Sequence, residues 1–492
     1  MPHYDSAREF KETTEITTTE FQSSPISQSS VIEYNHNQTS SSPIKTDQGC
    51  ESTNFGGMFD DDFDVDINGI ANIDKIDGNQ SIQDDVEVSL PELMKFFYSR
   101  LFPFKELFLW LNHFPSPTAS FTHREIAFTL QNDAYLRYQS FGSYELLKQE
   151  VMRLNPSRFE IGPVYSANPR DRKIIRKNAF KPLEKELVFD IDMSDYNDIR
   201  TCCQGTSICN KCWSFITVAI RVIDTGLRED FGFKHVLWVY SGRRGAHAWV
   251  CDKRARMMDD SKRRAILAYF ELLKGGTMIS KRVNLKRPLH PFVNRSLDIS
   301  KENFTEAILV NQNPWEDQTR QEKLLSLLPD TALNAELKKR WSSGNYSSMQ
   351  KWADIDSLAQ TGISKTLDPR QLKEAKQDII LEYMYPRLDS EVSKHLNHLL
   401  KSPFCVHPGT GRVCVPINGT RPETFDPLDV PTVSQLMAEV DNYDMVHKVG
   451  EEKVADFEKT SLKPYVEYFH RFVADLMKDE MKDKRPVDGL EF

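Results

Sequence analysis

No stretch of about 18 consecutive apolar residues occurs in this 492-residue chain, which excludes a membrane-spanning helix. The first residues carry no basic segment leading into an apolar one, so no secretory leader is expected. There is no internal repeat and no isolated basic localisation signal. Disulfide-forming chemistry is also unexpected. The eight cysteines belong to a chain without a leader, and in a reducing compartment clustered thiols serve as metal ligands more readily than as cystines. Four of them, Cys50, Cys251, Cys405 and Cys414, are scattered and read as unligated.

Positive charge is missing from the total, a formal −9, but the deficit is local. Residues 1–88 hold 18 Asp/Glu against 4 Lys/Arg, a net of −14, so residues 89–492 carry +5. Within that mildly basic part, Arg170-Asp-Arg-Lys-Ile-Ile-Arg-Lys177 offers either phosphate contacts or an ordinary solvated loop. Residues 1–88 divide into a Ser/Thr/Gln-rich half and an acidic half without periodicity, and are read as disordered. Inside them Phe55-Gly-Gly-Met-Phe-Asp-Asp-Asp-Phe-Asp-Val-Asp66 interleaves aromatics with acids, the pattern of a docking motif for a basic partner or of a solubilising tail.

Order is expected from about Leu90, where apolar residues begin at helical spacing. Strand patterns follow at 126–130, 134–138, 187–191 and 236–240, with 246–250 across a glycine-bearing turn. From about Arg256 to Tyr385 the pattern is mainly helical, best at 264–274, 321–328, 331–340 and 371–383. Segments 399–403 and 412–415 and an amphipathic helix over 462–478 complete the chain. The class is α+β. Its expected division is an extension (1–88), a catalytic domain (89–273 and 384–492) and a helical insertion subdomain (274–383).

Glu186-Leu-Val-Phe-Asp-Ile-Asp192 is the most informative stretch. Strand side chains alternate faces, so Asp190 and Asp192 point the same way at the end of an apolar strand. Two adjacent carboxylates repel, and hard oxygens suit Mg2+ or Mn2+ with positions left for substrate phosphates; a solvated strand end is the alternative. Tyr240-Ser-Gly-Arg-Arg-Gly-Ala-His247 joins two strands through glycines that permit close approach. Its Arg243, Arg244 and His247 suit phosphate oxygens, the alternative being a basic hairpin tip. Residues 386–407 group Asp389, Lys394, His395, His398, Lys401 and His407. Cys202, Cys203, Cys209 and Cys212 place four thiols in 11 residues, the density of a closed, structural Zn2+ site.

Together these stretches resemble the catalytic small subunit of the archaeal and eukaryotic type of DNA primase. The resemblance runs from about Leu90 to about Pro431 and again at 460–472; residues 1–88 lie outside it. It implies a primase-type catalytic domain with an RRM-like mixed sheet core, a helical insertion and a small zinc motif at 202–212. It also implies synthesis of short RNA primers de novo on single-stranded DNA from ribonucleoside triphosphates, for replication initiation and lagging-strand synthesis by two-metal nucleotidyl transfer. By position, Asp190, Asp192 and Asp389 would hold two Mg2+ or Mn2+ ions, with Glu125 a fourth catalytic acid. Arg137, Ser241, Arg243, Arg244, His247, Lys401 and His407 would bind the nucleotide. Glu160 stands where the family has a shorter aspartate near the nucleotide. The implied partners are the iron–sulfur primase large subunit and the replicative DNA polymerase alpha complex, in the nucleus and without a membrane. Two other readings share much of this chemistry: a non-catalytic zinc-containing nucleic-acid scaffold, and a primase-polymerase that prefers deoxynucleotides.

Overall fold

The computed structural model describes residues 89–273, 282–283, 285–447 and 454–483, all within one unit, Asp74–Phe492. The extension 1–88, read as disordered, and the aromatic-acidic motif inside it lie outside the described residues. The class is α+β as expected, helices surrounding two antiparallel sheets. Among the described residues no helix is long and apolar enough to cross a membrane.

The first helix, Leu90–Arg100, begins where Ser89 and Glu92 form a reciprocal cap, the serine Oγ and N–H both donating to the Glu92 carboxylate at 2.7 and 3.1 Å. The strands are β1 (Arg124–Thr129), β2 (Tyr135–Gln139), β3 (Arg158–Tyr165), β4 (Pro182–Glu184), β5 (Leu187–Asp192), β6 (Val236–Tyr240), β7 (Gly245–Val250), β8 (Leu400–Lys401) and β9 (Pro416–Ile417). The first sheet runs β2-β1-β3-β4 with β8 added to β3, and the second β5-β7-β6-β9. In the second sheet β6 and β7 are buried on both faces, so they read as continuous apolar runs. The register sets Asp190 opposite His247 and Asp192 opposite Gly245. Strand β7 can lie this close to β5 because Gly245 lacks a side chain: a Cβ there would sit 2.4 Å from the Ile191 carbonyl oxygen.

One hydrophobic core runs from Met94 to Met477 and takes in both sheets and the helices between residues 291 and 384. Helix Asn210–Thr225 joins these parts, packing against β5, β7 and helix Pro291–Phe304. The four helices expected from the pattern are present as Asp260–Phe270, Gln318–Leu327, Thr331–Trp341 and Pro369–Met384. The first of them is displaced toward the N-terminus because the Asp259 carboxylate caps the Lys262 N–H. Strand β3 and helix Asn210–Thr225 were not anticipated, whereas helices Pro291–Phe304 and Ser348–Gln360 fall in the stretch expected to be mainly helical. Segment 412–415 makes only isolated bridges, Val406 with Val413 and Arg412 with Thr432, while the neighbouring Pro416–Ile417 pairs with β6.

Candidate active site

The site is built at the C-terminal end of β5. Asp192 ends the strand and caps the short 3-10 helix Met193–Tyr196, accepting from the Ser194 N–H and Oγ at 2.6 and 2.7 Å. Its carboxylate also accepts the Arg244 Nε–H at 2.8 and 3.0 Å. Asp190 lies one step along the same face, its Oδ1 3.6 Å from His247 Nε2. Asp389 arrives from far along the chain, and its backbone N–H donates to the Asp190 carbonyl at 3.2 Å. Ser393 Oγ, one turn further on, donates to the Val188 carbonyl at 2.6 Å and ties the helix Ser390–Lys394 to the strand.

Negative charge therefore converges on this rim, and the neighbouring Asp195 registers it. Its carboxyl is pushed up to about 6, first by burial and then by the charges of Asp192 and Asp389. The Asp389 carboxylate accepts the Glu391 N–H at 2.9 Å. Hard oxygen donors with concentrated negative charge fit a divalent cation.

The opposite wall is basic. In the β6–β7 turn the Ser241 N–H donates to the Gly245 carbonyl, and the Gly245 N–H donates to Ser241 Oγ, both at 2.9 Å. Gly242 is held at φ +89°, and a Cβ there would meet the His407 Cβ at 2.7 Å, so glycine lets the turn seat against His407. His407 Nδ1 accepts the Gly409 N–H at 3.1 Å, leaving Nε2 as the protonated, donating nitrogen. Burial, then the charges of Lys401, Arg243, Arg158 and Arg244, push its pKa down to about 2. His247 is held at about 3 by burial and by Lys401. Two neutral imidazoles framed by lysine and arginines form a pocket for an anion. Lys401 reaches it from β8, opposite Glu160 on β3.

Arg137 lies in β2 with 31% of its side chain exposed, and its guanidinium is held by Glu125 at 2.9 and 3.2 Å. Glu125 is fully buried and also accepts the Tyr138 N–H and the Tyr165 hydroxyl at 3.0 and 3.1 Å. The Glu125 oxygens are held by these internal donors, an arrangement that orients Arg137. Arg158 and Asp195 were missed by sequence reasoning. Arg158 stands two residues before Glu160 on the same strand face, a period-two signal that was available. Glu160 accepts the Tyr135 hydroxyl and lies 3.6 Å from Arg158 Nε.

The thiols of Cys202, Cys203, Cys209 and Cys212 lie within 4.8 Å of one another. Cys209 Sγ is 3.6 Å from Cys202 Sγ and 4.0 Å from Cys212 Sγ, near the ~3.8 Å edge of a tetrahedron with ~2.3 Å Zn–S bonds. Cys209 caps helix Asn210–Thr225, and Gln312 accepts the Thr201 N–H at 2.8 Å and donates to Cys202 Sγ at 3.4 Å, tying the cluster to the helical segment.

Comparison with known proteins agrees with this arrangement. The family model described as DNA primase small subunit matches residues 189–418, a span that holds the three aspartates, the cysteines and the basic turn. The DNA primase small subunit of Schizosaccharomyces pombe is 53% identical over 422 residues, covering 82% of this chain and 93% of the relative. That of Saccharomyces cerevisiae is 45% identical over 396 residues (79% and 92%), and that of Drosophila melanogaster 38% over 408 residues (80% and 92%). With this much of both sequences matched, the chain belongs to the DNA primase small-subunit family, the catalytic subunits that synthesise RNA primers.

Proposed function

We propose that primer synthesis takes place between the acidic rim and the basic wall at the end of β5. The observation that carries this reading is the juxtaposition of Asp190, Asp192 and Asp389 with neutral His247 and His407 in a frame of Lys401, Arg243 and Arg244. Asp190, Asp192 and Asp389 would hold two Mg2+ or Mn2+ ions, whose chemistry is to activate the 3′-hydroxyl and to offset charge on the leaving pyrophosphate. Arg243, Arg244 and Lys401 meet the charge that develops on the triphosphate, and the His407 Nε2–H and Ser241 add neutral donors. Arg137, fixed by Glu125, stands ready for the incoming nucleotide or the strand beside it. Arg244 faces both walls, so triphosphate binding is expected to draw its guanidinium from Asp192 as a cation takes the carboxylate.

The same reading assigns Zn2+ to the four cysteines as a closed structural site. It also divides the chain into a catalytic domain with an RRM-like core (89–273 and 384–492) and a helical insertion (274–383), and places the protein in the nucleus. Its partners are an iron–sulfur large subunit and the polymerase alpha complex. Electron paramagnetic resonance of Mn2+ titrated into protein with a non-hydrolysable ribonucleoside triphosphate tests the metal assignment. Bound Mn2+ in the wild type and its loss in Asp389→Ala is the expected result; equal binding in both overturns it.

A further inference from the structure

Residues 169–181 hold six cations, Arg170, Arg172, Lys173, Arg176, Lys177 and Lys181, against one acid, Asp171, a net of +5 on one loop, while the other residues of 89–492 sum to zero. Arg172, Lys173, Arg176 and Lys177 are exposed and have no ion-pair partner among the described residues. Other surface cations, Arg100, Arg153, Arg295 and Lys459 among them, pair with a nearby carboxylate; here four unpaired ones fall within six residues.

The loop is also held in place. The Asn168 carboxamide accepts the Arg170 N–H at 2.9 Å and the Ser140 hydroxyl at 2.6 Å, fixing the loop entry on the end of β2. Arg172 lies over the Tyr138 ring at 4.1 Å and Arg170 over Phe141 at 4.9 Å. At the exit Phe180 stacks on Tyr165 at 4.1 Å with an interplanar angle of 7°. Tyr138 is held in the left-handed region at φ +61°, and its N–H donates to the carboxylate of Glu125 that also grips Arg137. The Arg137 guanidinium lies over the Tyr138 ring at 4.9 Å, and β3, which leads into the loop, pairs with the strand that carries Lys401 of the basic wall. The loop is thus joined to the site through Arg137, Tyr138 and β3.

We infer that residues 170–177 bind the phosphate backbone of the single-stranded DNA template beside the active site. The ligand is polyanionic because a run of unpaired cations on an anchored loop has no counter-charge among the described residues. It is single-stranded because Ile174, 85% exposed at the centre of the run, offers an apolar face that an unpaired base can cover and a stacked duplex cannot. The inference rests on the primer-synthesising activity of the family and not on the metal assignment, since template binding needs no nucleotide.

The test is fluorescence anisotropy of a labelled oligodeoxythymidylate with full-length protein at several salt concentrations, for the wild type and for Lys173→Gln/Arg176→Gln/Lys177→Gln. These three side chains are exposed, so the fold should persist, and unchanged thermal unfolding checks it. If each cation contacts one phosphate, the slope of log K against log salt falls by about 2, and affinity at 0.1 M salt drops by about fivefold per contact. The apparent KM for template rises in parallel, while Lys173→Arg/Arg176→Lys/Lys177→Arg restores binding. A salt slope and template KM equal to those of the wild type overturn the proposal. So does an effect seen only on an RNA–DNA duplex probe, which would make the loop a product contact. Asp389→Ala separates the two readings: loss of synthesis with wild-type DNA binding leaves the loop proposal standing, whatever the outcome of the Mn2+ titration.

Discussion

The two ends of β5 carry the same chemical pair in opposite settings. At the N-terminal end Glu186 receives Arg124 in a two-point bond at 2.7 and 3.1 Å, both residues fully buried, with His113 3.7 Å away. At the C-terminal end Asp192 receives Arg244 at 2.8 and 3.0 Å, but the aspartate side chain is 30% exposed and the arginine 14%. Between them lie five strand residues, four apolar ones and Asp190. A buried pair is costly to break because each partner would be left as an uncompensated charge. An open pair contributes little to stability and can be exchanged for other ions. The strand is thus fastened at one end and chemically available at the other.

The largest effect expected is at the open end. Asp190→Ala or Asp389→Ala should lower primer synthesis at least about a thousandfold, equivalent to several kcal/mol of lost transition-state stabilisation, with normal thermal unfolding. Retained synthesis in either variant would break the comparison. At the closed end Glu186→Gln should destabilise the protein by about 3–5 kcal/mol, because Arg124 keeps its charge in a dry site; denaturant titration measures this. Asp192→Asn, in contrast, should change stability by less than about 1 kcal/mol. A third effect concerns the thiols. Cys209→Ser should release about one zinc per chain and loosen the contact between Gln312 and the 201–202 segment, read by metal analysis and by thermal unfolding. Zinc-free protein after purification under reducing conditions would count against the site.

The smallest effect is a pH dependence. His398, His247 and His407 are held at about 4, 3 and 2, all below the ordinary 6.5, mainly by burial. The unfolded chain therefore protonates first, and their contribution to stability is complete above about pH 6.5 and is lost as pH falls through about 4 for His398, 3 for His247 and 2 for His407. His407→Gln should make the fall in urea midpoint between pH 7 and pH 5 shallower than in the wild type. An unchanged fall would mean that another group governs this window.

The sequence made the acidic rim and the basic turn legible because each is a contiguous motif on a strand whose period is unambiguous, as in Asp190 and Asp192 or Ser241 to His247. Asp389 and Lys401 stood out only as members of the 386–407 group, since their pairing to Asp190 and Glu160 is long-range and leaves no local pattern. Strand β3 was hidden by Gly162-Pro163, which reads as a breaker. The glycine is there because a Cβ would lie 3.0 Å from the Glu125 Cβ. Helix Asn210–Thr225 escaped notice because it is rich in Ile and Val, a composition that favours a strand, although Ser214, Thr217 and Arg221 recur on one face at helical spacing. Glu125 was visible as an acid, but its burial, and hence its role in holding Arg137, was not.

The most direct measurement is incorporation of labelled ribonucleotides on single-stranded DNA without a primer, with Mg2+ or Mn2+. Wild type, Asp190→Ala and Asp192→Ala should be compared, each alone and with the large subunit. Short metal-dependent RNA products from the wild type, lost in both variants at unchanged thermal stability, are the predicted result. Products retained in either variant under the same conditions would contradict the assignment of catalysis to the open end of β5.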